Sequence, residues 1–162
     1  MRRTGAVVAG VVGGVLPLSG CGAVGLPLAG VRAGADGKAY AVSRPCGDDA
    51  CTRPRLDWRP RRAGEGPATT GWDAGDEEPR GDTGFPLFAP PARWEARHRG
   101  ARRPLPRHSY VLTFRHYVSG DSCHGIVEFT PEQVARLRPG QVWADGRAMS
   151  PGAFERLARD AC

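Results

Sequence analysis

The first 21 residues constrain this chain most, because they combine a short apolar segment with a cysteine directly behind it. Arg2 and Arg3 precede an uncharged run from Gly5 to Leu18. This run of fourteen residues is shorter than the stretch of about twenty that a helix needs to cross a membrane. A positive start followed by a short apolar run is typical of an export signal that is removed. We therefore predict that residues 1–20 form a cleaved signal peptide.

The end of this segment, Leu18 to Cys21, consists of a branched apolar residue, two small residues and a cysteine. It resembles the lipobox of bacterial lipoproteins, and the resemblance covers only the first 21 residues. In that family the cysteine sulfur receives a diacylglyceryl group, and a signal peptidase cuts just before the cysteine. The resemblance implies that Cys21 is lipidated. Lys38 is the only lysine, and alanine, glycine, proline and arginine are abundant, which suggests an actinobacterial source with a GC-rich genome.

Lipidation at Cys21 would anchor the mature chain to the extracytoplasmic face of the cell membrane without crossing it. Two acyl chains hold a protein stably on a bilayer, whereas one chain binds it marginally. Arg2 and Arg3 also raise the twin-arginine export route, but Thr4 and Gly5 follow where that signal usually has apolar residues. General secretion is therefore preferred, and both routes stay open. Cleavage of residues 1–20 removes Arg2 and Arg3, so the formal charge of the mature chain falls from +6 to +4.

Four further cysteines would reach an oxidising compartment, where disulfides persist. They are Cys46, Cys51, Cys123 and Cys162. Four cysteines allow three pairings, and the sequence does not choose among them. We favour Cys46 with Cys51 and Cys123 with Cys162, and crossed pairing stays open. A Cys46–Cys162 bridge would instead mean that the long intervening tract is a loop within one domain.

The first half of the mature chain has few signals of regular structure. Residues 21–37 are small and almost uncharged, which favours a membrane-proximal tether. Residues 38–58 contain a short alternating segment with Tyr40 and Val42 on one face, followed by a cysteine loop. This segment predicts one short strand that is able to join a later sheet.

The tract 59–107 is rich in proline, glycine and arginine. This composition predicts a disordered linker. Arginines dominate its last part, Arg93–Arg107, and tryptophan lies among them. Arginine beside tryptophan suits anionic lipid headgroups or anionic wall polymers, and an exported protein is not expected to meet nucleic acid. The alternative is that the aromatic residues of this tract cover the surface of the folded part.

Residues 108–162 predict a small α+β domain. Ser109–Val118 and Gly125–Thr130 alternate like two strands of a hairpin. Thr130, Pro131 and Gln133 have the spacing of a helix cap, and a second hairpin turns at Asp145 and Gly146. Ser150 and Pro151 begin a last helix with an apolar stripe. The expected fold class is therefore α+β: a small disulfide-linked module after a long disordered tract.

One group of residues in this domain has the side-chain types of a metal site. His116, Cys123 and His124, with His108 nearby, are the ligand types that zinc and copper use. However, their spacing matches no zinc signature, and a disulfide-bonded Cys123 has no thiolate for a metal. A lone histidine on an apolar strand face is more often a core residue. An envelope metal-binding lipoprotein is therefore the second hypothesis, and no cofactor is expected.

Two other groups suggest chemistry less strongly. Asp121, Ser122 and His124 are residue types that hydrolases use, but a hairpin turn offers no preformed oxyanion hole. An envelope hydrolase is the third hypothesis. Asp48 and Asp49 are too few oxygen ligands to hold calcium. The sequence therefore favours a lipid-anchored envelope protein that is not an enzyme and acts as a binding or structural module.

Overall fold

The structure is a computed structural model, and it describes residues 28–46, 51–60, 70–75, 77–115 and 125–162. Over these ranges the chain forms two antiparallel sheets of five strands each. Few residues are helical: α1 spans Pro131–Ala135, α2 spans Pro151–Ala161, and a short 3₁₀ helix spans Ala92–Trp94. No helix among the described residues has the length and apolar character to cross a membrane.

The first sheet joins strands from both ends of the described chain, in the order β10-β9-β1-β2-β5. Its strands are β1 (Ala29–Ala33), β2 (Ala39–Ser43), β5 (Thr83–Pro86), β9 (Val142–Ala144) and β10 (Arg147–Met149). The second sheet has the order β6-β4-β3-β7-β8. Its strands are β3 (Thr52–Pro60), β4 (Thr70–Asp73), β6 (Arg97–Gly100), β7 (His108–Arg115) and β8 (Gly125–Phe129).

The predicted hairpin of residues 109–130 is present as β7 paired with β8. Tyr110, Leu112 and Phe114 alternate along β7 and are fully buried. Their partners on β8 include Phe129 opposite Tyr110 and Val127 opposite Leu112. Alternation with period two places these side chains on one face, so the apolar pattern predicted both the strands and the buried side.

The starts of both helices and the turn of the second hairpin also lie where the sequence predicts them. The hydroxyl of Thr130 accepts a hydrogen bond from the Gln133 N–H, and the Gln133 side chain accepts one from the Thr130 N–H, which completes a capping box. The Ser150 hydroxyl caps α2 by accepting a hydrogen bond from the Ala153 N–H at 3.2 Å. Asp145 and Gly146 both have positive φ between β9 and β10, as a two-residue hairpin turn requires.

The two sheets enclose one core in which aromatic rings dominate. Trp72 from the second sheet lies edge-on to Phe85 from the first, with ring centroids 5.7 Å apart. Phe85 in turn contacts Trp94 at 4.7 Å and Phe114 at 6.5 Å. The Trp72 indole N–H donates to the carbonyl oxygen of Leu87 at 2.7 Å. This bond satisfies the one polar atom of a buried tryptophan and joins the sheets.

Helix α2 covers the other face of the first sheet. A second apolar cluster joins Phe154 of α2 to Val42, Val142 and Met149 of the sheet. Leu157 and Ala158 lie on the same stripe of the helix, as predicted. The first sheet is therefore buried on both faces, by the second sheet on one side and by α2 on the other.

The prediction of a disordered linker is wrong for the described part of the tract 59–107. That part contains β4, β5, β6 and the 3₁₀ helix. A high content of proline and glycine indicates disorder. In this tract, however, Trp72, Phe85 and Trp94 supply core contacts that offset the entropy of ordering the chain. Tract residues 61–69 and 76 lie outside the described residues.

Residues 108–162 do not form a separate α+β domain either. Strand β7 pairs along its length with β3, and β9 pairs with β1. The expected boundaries at 58/59 and 107/108 therefore cut through shared sheets. Because most of the regular structure is strand, the α+β class holds only roughly.

The prediction of a tether over residues 21–37 is wrong for residues 28–33. Leu28 is fully buried, and residues 29–33 form strand β1 in the middle of the first sheet. The strand predicted at Tyr40 and Val42 is confirmed as β2. Cys21 and the rest of residues 1–27 lie outside the described residues.

The favoured pairing of the cysteines is also wrong. Cys46 is bonded to Cys162, with an S–S distance of 2.10 Å and 116 residues of sequence separation. Cys51 is disulfide-bonded as well and fully buried. Cys123 lies outside the described residues. The Cys46–Cys162 bond ties the end of α2 to the segment after β2, so the long tract is a loop within one folded unit.

We expect the Cys46–Cys162 bond to stabilise the fold substantially, because a bond that closes so long a loop restricts the unfolded chain. The double variant Cys46→Ser/Cys162→Ser should lose about 2–4 kcal/mol of unfolding free energy in urea titrations. Arg159→Ala, on the exposed side of α2, is the control and should change little. A non-reducing peptide map that links Cys46 to Cys51 would contradict this pairing.

Gly71 in β4 is expected to tolerate no side chain. Its φ is +146°, and a Cβ atom there would overlap the carbonyl oxygen of Leu56 on β3. Gly71→Ala should therefore cost about 2 kcal/mol or more of unfolding free energy. Gly84→Ala is the matched control in β5, because its Cβ would meet nothing closer than the Ala41 oxygen at 3.8 Å. Equal stability of the two variants in urea titrations would refute this expectation.

Candidate binding groove

An apolar groove with cations at its rim lies where β1 ends and β2 begins. The turn between these strands is closed by a hydrogen bond from the Gly34 N–H to the Lys38 carbonyl oxygen, at 2.8 Å. Gly37 has a φ of 74°, a conformation that glycine adopts without strain. Asp36 accepts hydrogen bonds from the Lys38 N–H and the Tyr40 hydroxyl. The turn is thus held in one shape at the edge of the groove.

The groove consists of two cavities that share five lining residues: Gly37, Lys38, Ala39, Phe88 and Pro104. One has a volume of about 470 Å³, and Arg102 and Arg103 complete its rim. The other has a volume of about 330 Å³ and runs beneath α1. The apolar side chains that line only the second cavity include Leu87, Phe129, Val134 and Leu137. These cavities together are called the groove below.

The wall of the groove is a rigid set of aromatic rings. Phe88 is half-buried and packs edge-on against Tyr110, with ring centroids 5.5 Å apart. Tyr110 stacks on Phe129, also at 5.5 Å. Because Tyr110 and Phe129 belong to β7 and β8, the partly exposed Phe88 ring is supported by the second sheet.

The loop that carries Arg102 and Arg103 is held by two buried hydroxyl groups. Thr70 Oγ1 donates to the Ala101 carbonyl oxygen at 2.6 Å and lies 3.1 Å from the Arg103 carbonyl oxygen. The Tyr110 hydroxyl accepts a hydrogen bond from the Leu105 N–H at 2.7 Å. Burial of Tyr110 raises the pKa of this hydroxyl, so it stays protonated at neutral pH. The backbone of the loop is therefore fixed while its arginine side chains are exposed.

The charge of the rim is positive. Arg102 and Arg103 are exposed and have no carboxylate partner among the described residues. Lys38 Nζ lies 3.5 Å from Asp36 Oδ2, and the hydrogen bond from the Lys38 N–H lowers the pKa of Asp36. No acidic side chain of the described chain lines either cavity. Burial, and then the charge of Arg102, lower the pKa of His98, which keeps that ring neutral near pH 7.

The outer face of the second sheet is the other charged surface, but its charges compensate one another. Arg55 Nε lies 2.6 Å from Asp57 Oδ2 and 3.8 Å from Asp73 Oδ2. Arg99 reaches across Gly71, which has no side chain, and donates to Asp57 Oδ1 at 2.8 Å. An open cleft of about 780 Å³ beside these residues has both acidic and basic walls. The groove is the better candidate because Arg102 and Arg103 at its rim have no carboxylate partner in the described part of the chain.

Most residues that the sequence suggested for chemistry lie outside the described residues. They are Cys21, Asp48, Asp49, His116, Asp121, Ser122, Cys123 and His124. His108 is described and is buried beside Trp58, with Nδ1 2.8 Å from the Pro106 carbonyl oxygen. No group of three metal-ligating side chains occurs in the described part of the chain. The metal and hydrolase hypotheses therefore stay predictions.

The sequence indicated only part of the groove. Arg102 and Arg103 belong to the segment 93–107 that was expected to meet an anionic partner. Lys38 and Phe88 were not singled out as binding residues. The available signal was the unusual presence of Phe85 and Phe88 in a polar tract, since disordered segments normally have few aromatic residues.

Comparison with known proteins does not identify this chain. It matches no protein-family model, and no curated protein or solved structure is significantly similar to it.

The Thr70 hydroxyl should prove important for the arginine loop. Thr70→Val removes the donor to the Ala101 and Arg103 carbonyl groups and should cost about 1–2 kcal/mol of unfolding free energy. It should also speed amide hydrogen exchange of residues 101–105. Thr113→Val is the matched control, because the buried Thr113 hydroxyl has no hydrogen-bond partner among the described residues. A Thr113→Val variant that is destabilised as much as Thr70→Val would contradict the assigned role.

Proposed function

We propose that this protein is a lipid-anchored, non-enzymatic binding module on the extracytoplasmic face of the cell membrane. The observation that carries this proposal is the Cys46–Cys162 bond. Disulfide bonds form and persist in oxidising compartments and are rare in the cytosol. The lipobox-like segment before Cys21 supplies the export route and the anchor.

The distance from the anchor to the folded part supports a position close to the bilayer. Leu28 is the first buried residue of the described chain. Seven residue steps separate it from Cys21, and they span at most about 25 Å even when fully extended. A module held this close to the membrane would stay at the cell surface and present its remote side to other envelope components.

The groove supports a role in binding. It combines apolar walls with a few charged groups at one rim, which is typical of ligand sites. Its arginines also belong to the segment Arg93–Arg107 that the sequence linked to anionic headgroups or wall polymers. Because Thr70 and Tyr110 fix the loop backbone, binding would require little ordering of the protein.

The anchor is tested by metabolic labelling with a fatty-acid analogue. The wild-type protein should incorporate label and fractionate with membranes, whereas Cys21→Ala should lose the label because it lacks the sulfur that forms the thioether. Cys46→Ala is the control, since that sulfur is used by a disulfide and labelling should persist. Equal labelling of wild type and Cys21→Ala would end the proposal of a lipid anchor.

A further inference from the structure

We propose that the groove binds an extended acidic peptide segment with apolar side chains, presented by another protein of the cell envelope. This inference rests on the proposed function and names the class of partner. Three features of the groove support it: the charge of its rim, its division into two apolar cavities, and its position relative to the anchor.

The rim requires an anionic partner. Arg102 and Arg103 are exposed on one side of the groove, and no acidic side chain of the described chain lies between them and its floor. Lys38 adds a third cation at the rim, where it is paired with Asp36 at 3.5 Å. Complementary charges speed association and select among partners. Carboxylates on the partner would therefore be favoured and cationic segments rejected.

The floor requires apolar groups on the same partner. Phe88 and Pro104 line both cavities, of which one has Arg102 and Arg103 at its rim and the other is lined by α1. Apolar side chains gain about 25 cal/mol for each Å² of apolar surface removed from water. A purely ionic polymer or an inorganic anion would leave the apolar walls of both cavities exposed to water. A peptide that alternates acidic and apolar residues satisfies both the rim and the floor.

The distance of the groove from the entry of the chain is compatible with a protein partner. The chain enters β1 at Leu28, and the groove is lined by Ala33 and Gly34 at the far end of that strand. The rise of an extended strand over these residues is about 20 Å. An anchored module that stands with β1 upright on the bilayer would therefore present the groove to other envelope proteins.

The test uses the lipidated protein in phosphatidylcholine vesicles and a fluorescent peptide, Glu-Glu-Leu-Glu-Glu-Phe-Glu-Glu. One control peptide replaces every Glu by Gln, and the other replaces Leu and Phe by Ser. Fluorescence anisotropy should show the first peptide binding at least about tenfold more tightly than either control. Its affinity should also fall as salt rises, because exposed charges are screened.

Matched charge-reversal variants locate the site. Arg102→Glu/Arg103→Glu should weaken binding of the acidic peptide by about tenfold or more. Arg156→Glu/Arg159→Glu makes the same change in net charge at exposed positions of α2. This helix lies at the other end of the module, where Glu155 contacts Arg44 at 2.7 Å. The control variant should bind the peptide within about twofold of wild type, since it leaves the groove intact.

Several outcomes would overturn the proposal. They are absence of peptide binding, equal binding of the Ser-substituted peptide, and equal loss of affinity in both charge-reversal variants. Direct binding of soluble dihexanoyl phosphatidylglycerol in calorimetry, lost in Arg102→Glu/Arg103→Glu and accompanied by no peptide binding, would overturn the proposal and assign the groove to a lipid. Failure of the lipid anchor is distinguishable from failure of peptide binding, because protein missing from the vesicle fraction is detected before any peptide is added.

Discussion

The antiparallel pairing of β3 with β7 is the constraint on which the rest of the structure depends. Leu56 faces Leu112 across this pair, and both side chains are fully buried. The residues between the two strands must leave the sheet and return to it, so the pairing closes a long loop. Closing a loop costs conformational entropy that grows slowly with length. The cost is offset because the loop supplies its own strands and three core aromatic rings, with Trp72 bonded to Leu87 across the sheets.

The same pairing positions the groove. Tyr110 lies on β7 and uses its ring to support Phe88 and its hydroxyl to hold Leu105. Thr70, on the neighbouring strand β4, holds the carbonyl groups of the arginine loop. Thus two buried side chains connect the sheet to a surface loop whose charged groups point to solvent. Sites built on such rigid supports lose little entropy on binding. This is why an arginine-rich segment that resembles a flexible linker in sequence is able to form a defined surface.

Local features of the fold were predictable, and the tract 59–107 was not. Thr130 with Gln133, and Asp145 with Gly146, specify a helix cap and a hairpin turn through contacts between residues only a few positions apart. The average composition of the tract indicates disorder because it gives every residue equal weight. Most of its described prolines and glycines lie in loops or at strand ends, while its few aromatic residues carry the packing. The cationic half of the groove was anticipated from the arginine-rich segment, but the apolar half, with Phe88, was not.

The sequence by itself determined the two hairpins, the starts of both helices, the apolar faces of β7 and α2, and the concentration of arginines near residue 100. These features depend on periodicity and on neighbours along the chain. Only the tertiary structure decided that Cys46 pairs with Cys162 and that Lys38 lies beside Arg102 and Arg103. The reason is physical: these contacts join segments far apart in sequence. Their proximity follows from the pairing of whole strands, which no local pattern encodes.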